Sequence, residues 1–248
     1  MKKNFYKLAF TLAETLIVMG IIGVVAALTL PNLNSSTGNK EKVAKVKKLY
    51  SNLNDAMGRA VVVYGPLNEW FNNDTTDEQK HKRAAERLTE FMKISKDCTN
   101  NPSECMGTIS GDSTSFNNGA AFILADGSAI QFRWVTDASY TFTTPRDTIF
   151  IIVDIDGPNK GSNTAGKDVF AFKLDSSSSE ILPLSAGYSG SFINLMASDC
   201  FWGESHKHLA CTDWILMYDN MDYLKVDNDK KCPDGKTILD GVSNTTCK

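Results

Sequence analysis

The chain has 248 residues, 26 Lys and Arg against 29 Asp and Glu, and a formal net charge of −3; 42% is apolar and 22% charged. That is the make-up of a folded protein, and it excludes a disordered tail, a collagen-like fibre and a multi-span membrane protein. No basic excess exists to neutralise phosphates, so no nucleic-acid partner is expected. The length allows one large domain or two small ones.

Residues 1–9 carry Lys2, Lys3 and Lys7 and no acid, and Phe10 to Leu30 then runs 21 residues with one charge, Glu14. As a helix this run rises about 30 Å, the thickness of a hydrocarbon core, which predicts a single transmembrane helix over 10–30. The preceding lysines stay cytoplasmic and put everything after Leu30 outside. A secretory signal peptide has a shorter apolar core ending in small residues. A plain signal anchor gives no reason for Glu14, because a carboxylate in such a span costs up to about 2.5–3.5 kcal/mol and flags function.

The run Ala9-Phe10-Thr11-Leu12-Ala13-Glu14 resembles the cleavage and methylation segment of type IV prepilins and type II secretion pseudopilins. The resemblance covers about the first 30 residues. It implies a leader over 1–9, cleavage between Ala9 and Phe10, N-methylation of Phe10, and Glu14 as the family's acidic residue. Pro31 falls where pilins keep a helix-kinking proline. The family usually has Gly before the cut, and here the residue is Ala9, which keeps the small size. After cleavage the Phe10 ammonium and a neighbouring subunit's Glu14 are natural partners; mispaired, each charge is left costly, so the pair acts as a register device.

Beyond Pro31, residues 32–38 predict a break or loosened helix, and Lys40 to Tyr64 a stem helix. There Val43, Val46, Leu49, Leu53, Met57, Ala60 and Tyr64 recur at spacings of three and four. Lys40, Lys42, Lys45, Lys47 and Lys48 crowd its first turns, either as a solvated face or as contacts for lipid phosphates or an acidic neighbour. Gly65-Pro66 ends the helix. A second helix is expected from Asp77 to Ile94. Ala120 to Trp134 reads as a hairpin around Asp126-Gly127, and 148–157 with 168–174 as another strand pair. A short helix is expected at 212–221. The predicted class is α+β: a long N-terminal helix, its first half transmembrane, on an antiparallel sheet in a pilin-like head over 65–248.

If the chain lies outside the membrane, Cys98, Cys105, Cys200, Cys211, Cys232 and Cys247 are free to form disulfides. Six cysteines allow fifteen pairings, and the sequence does not choose among them. Neighbour pairing (98–105, 200–211, 232–247) would close short loops. Zinc on Cys200, His206, His208 and Cys211 competes, but the spacing fits no closed tetrahedral pattern.

Asp154, Asp156, Asn159 and Asp168 form an oxygen-rich loop of the kind that suits Ca²⁺, though not an EF-hand. The alternative is a strand end and an Asp-Gly turn that needs no ion. Major pseudopilins carry a calcium-stabilised acidic loop late in the chain, so the resemblance implies a structural Ca²⁺ here. Catalysis is not expected. The histidines are His81, His206 and His208, and 187–191 departs from the G-x-S-x-G elbow.

The expected function is a structural subunit of a type IV pilus-like fibre, most simply a type II secretion pseudopilin. Its implied partners are other pilin or pseudopilin subunits, a prepilin peptidase, an assembly platform and an ATPase. The expected location is the inner membrane, single-pass with the head outside, and then a periplasmic or extracellular fibre. The alternatives are a surface or minor pilin whose head binds a ligand through Trp70, Phe71, Phe201, Trp202 or Trp214, and, more remotely, a membrane-anchored enzyme.

Overall fold

The computed structural model describes residues 11–109, 119–135, 148–158, 160–175, 178–184, 200, 207–226, 231–235 and 247, with backbone alone at 26–37, 135, 207 and 208. It divides into two units, Met1–Glu41 and Lys42–Lys248. Helix α1 (Leu12–Tyr64) begins in the first and is unbroken across 32–38, where a break or loosened helix was expected.

The expected transmembrane first half of that helix is corrected. Among the described residues no helix is long and apolar enough to cross a membrane. What stands is α+β content with an antiparallel sheet.

In the second unit, α1 presents the stripe read from its spacing. Val43, Val46, Leu49, Leu53, Met57 and Ala60 are all buried. Helix α2 (Asp77–Thr89) starts at Thr76, whose side chain accepts from the Gln79 amide while the Gln79 side chain accepts from the Thr76 amide, a capping box. Its buried face is His81, Ala84, Ala85 and Leu88.

Six strands follow: β1 (Ile94–Asp97), β2 (Ala120–Leu124), β3 (Ala129–Val135), β4 (Thr148–Asp154), β5 (Val169–Asp175) and β6 (Glu180–Pro183). They pair antiparallel in chain order, a meander. A four-residue turn, α3 (Ser103–Met106), lies between β1 and β2, and α4 (Cys211–Tyr218) follows the sheet. The expected hairpin is present as β2–β3, with Gly127 donating to the Leu124 carbonyl at 3.0 Å. The second expected pair is β4–β5. Two strands were not anticipated: β1 begins at Ile94, the last residue of the longer predicted second helix, and β6 follows β5.

Registers place Phe132, Ile151 and Phe172 side by side across β3, β4 and β5. Tyr50 of α1 stacks on Phe172 with centroids 5.6 Å apart, so α1 covers that face. Asn54 of α1 also accepts from the Ile181 amide of β6 at 3.1 Å. The opposite face carries Ala171 and the buried Lys173. There the Ala171 amide donates to the Thr212 hydroxyl of α4 at 3.1 Å. With a layer on each side, β4 is buried at every position, and its continuous apolar run follows from that.

Candidate functional sites at the helix start and the acidic loop

Ala9 and Phe10 lie outside the described residues. From Thr11 onward the geometry is that of a helix start. The Thr11 amide and hydroxyl both donate to Glu14 Oε2 at 2.9 Å, and the Glu14 amide donates back to Thr11 Oγ1 at 3.3 Å. This is a second capping box, and it gives Glu14 a local duty besides any partner on a neighbour. The T-x-x-E spacing before an apolar run was the signal for it. Every large apolar side chain from Leu12 to Val25 is 53–80% exposed. An apolar surface of that extent marks a contact with something apolar. The Pro31 side chain lies outside the described residues.

The second site is the loop between β4 and β5. Asp154 and Asp168 are wholly buried. Asp154 Oδ1 accepts from the amides of Asp156 at 3.1 Å and Gly157 at 3.0 Å, an Asx turn. Asp168 accepts from the Ser162 amide at 2.6 Å and hydroxyl at 3.1 Å, and from the Thr164 amide at 2.5 Å. Asn163 Nδ2 donates to the Pro158 carbonyl at 3.4 Å; with the amide turned over it would instead donate to Asp154 Oδ2 at 3.1 Å and to the Lys160 carbonyl at 3.2 Å. Burial pushes the Asp154 carboxyl up to about 6; the two turn amides pull it back, and the charges of Asp168 and Asp156 add to the rise.

Asp156 turns toward α1. Its Oδ1 accepts from Lys45 Nζ at 3.1 Å, and Lys42 Nζ lies 3.7 Å from Oδ2. Gly161 (φ +72°) has no room for a side chain: a Cβ would sit 2.5 Å from Asp168 Oδ2 and 3.1 Å from Asp156 Oδ2. From the C-terminal side, the buried Tyr223 hydroxyl donates to the Gly166 carbonyl at 2.7 Å.

Of the four predicted calcium ligands, the structure therefore brings Asp154, Asp156 and Asp168 into one loop, and Asn159 lies outside the described residues. Among the described residues, no group of three or more His, Cys, Asp or Glu is placed to hold a metal. The carboxylates face amides, a hydroxyl and ammonium groups, and a calcium ion needs six to eight converging oxygens. The three described members of the predicted set do not by themselves meet that requirement. What sequence reasoning missed was the partner of the α1 lysines, which were read as a solvated face or as contacts for lipid phosphates or an acidic neighbour. Lys42 and Lys45 face the chain's own acidic loop, and Lys47 pairs with Asp219 at 2.7 Å.

The cysteines form three disulfides, 98–105, 200–211 and 232–247. The second takes both thiolates away from a zinc site. His206 and the side chain of His208 lie outside the described residues, as do 187–191. Of the aromatic residues named for ligand contact, Trp70 and Trp214 are buried. Phe71 packs edge-on against Trp134 with centroids 5.2 Å apart, and Phe201 and Trp202 lie outside the described residues.

Comparison with known proteins adds one match: the model of a family of unknown function, DUF6613, covers residues 32–182. No curated protein and no solved structure matches.

Proposed function

The chain belongs to the DUF6613 family of unknown function, and we propose that it is a structural subunit of a type IV pilus-like fibre, of the type II secretion pseudopilin kind. The observation that carries this reading is the segment Ala9-Phe10-Thr11-Leu12-Ala13-Glu14 leading into an apolar helix. A prepilin peptidase cuts between Ala9 and Phe10 at the inner membrane, Phe10 is N-methylated, and the head lies outside. Assembly then uses a platform protein and an ATPase supplied by others. The uncovered apolar side chains from Leu12 to Val25 support the reading, since a fibre of like helices covers such a surface.

The test is mass spectrometry of the N-terminus after co-expression with a prepilin peptidase. The expected product begins at N-methylated Phe10. A chain still beginning at Met1 overturns the proposal.

A further inference from the structure

We propose that the acidic loop between β4 and β5 is closed by the chain's own ammonium groups, Lys42 and Lys45 of α1, in the place a calcium ion would take. Three carboxylates share this loop, and like charges a few ångströms apart repel by about 1 kcal/mol in water and more beside a protein. A calcium ion answers that repulsion with two positive charges; two lysines bring the same two. Lys45 Nζ reaches Asp156 Oδ1 at 3.1 Å and Lys42 Nζ lies 3.7 Å from Oδ2, so both oxygens of the outermost carboxylate face ammonium groups.

The two inner carboxylates are answered differently. Asp154 and Asp168, both wholly buried, accept from loop amides and the Ser162 hydroxyl. An ion at Asp156 would have to displace both lysines and strip those donors from their acceptors.

The placement of the lysines is not accidental to the helix. They stand three apart, on either side of the buried Val43 and next to the buried Val46, so packing already fixes the backbone that carries them. The core thereby fixes the backbone from which both side chains reach, while ordering the side chains themselves remains a cost. The pairs also join α1 to a loop 111 residues further on. The loop is therefore a clasp on the helix, weakened by salt and indifferent to chelators.

Thermal melts of the full-length oxidised chain in detergent test this. The wild-type Tm is expected to be the same in EGTA and in millimolar Ca²⁺. Lys42→Met with Lys45→Met is expected to lower the Tm by about 3–6 °C. Adding Asp156→Asn to that pair is expected to cost nothing further, because the groups act as one unit. A wild-type Tm that falls in EGTA and recovers with Ca²⁺ overturns the proposal, as does a lysine variant that melts like the wild type. The chelation arm uses no variant, so it decides the question even if the lysine variants fail to fold.

Discussion

Glu14 has two possible duties that one substitution can separate. As a capping-box partner it needs oxygens for the Thr11 amide and hydroxyl; as a charge partner for a neighbour's Phe10 ammonium it needs its negative charge. Glu14→Gln keeps the oxygen and removes the charge, whereas Glu14→Ala removes both. If fibre assembly rests on the charge, both variants are expected to reduce the sheared fibre fraction to a similar degree. Gln assembling like the wild type would assign Glu14 to the cap alone. The spacing of Thr11 and Glu14 carries the cap as a local motif, although Glu14 was read above only as a charge partner. The Lys45–Asp156 pair was not legible, because its partners stand 111 residues apart and nothing local in either segment names the other.

Helix α2 shows how burial sets a response to pH. His81 is buried on its inner face, and burial lowers its affinity for a proton; Glu78 and Asp77 oppose that effect, and Lys82 and Arg133 reinforce it. The folded state thus binds the proton more weakly than the unfolded chain. This contribution is complete above the ordinary histidine value of about 6.5 and is lost as pH falls below it. The Tm of the wild type is expected to fall between pH 7 and pH 5 more steeply than that of His81→Leu. Parallel curves would show that the side chain escapes burial on protonation at no cost. The periodic elements, α2 and the β2–β3 hairpin, were readable because their patterns repeat over many residues. The edge strands β1 and β6 were not: each has four residues, and β1 buries none of them fully. Pairing with a neighbour, rather than any pattern of their own, makes them strands.

At the scale of the whole molecule, the disulfides are local staples. Their separations are 7, 11 and 15 residues, and all three lie outside the strands of the sheet, Cys98 falling one residue after β1. Cross-linking restricts the unfolded chain more when the loop is longer, by about 3 kcal/mol for a 15-residue loop. Replacing Cys232 and Cys247 by Ser is therefore expected to lower the Tm by roughly 6–12 °C. Replacing Cys98 and Cys105 should lower it less, because that loop is shorter. Melts of the two double variants check this, and the reverse ranking would show that native packing rather than loop closure sets the effect.

In the meander each strand meets the strand made just before it, so the sheet can zip up as the chain lengthens. The end of α1 meets an early partner, Trp70 against Tyr64, but the middle of its stem half is completed later. Tyr50 waits for Phe172, and Asn54 waits for Ile181, 127 residues later. From the moment it emerges until β5 and β6 exist, the stripe through Val46, Leu49 and Leu53 lacks the part of its sheet face that those strands supply. That interval during synthesis, rather than the finished structure, is when this chain is most open to mispairing with other apolar surfaces.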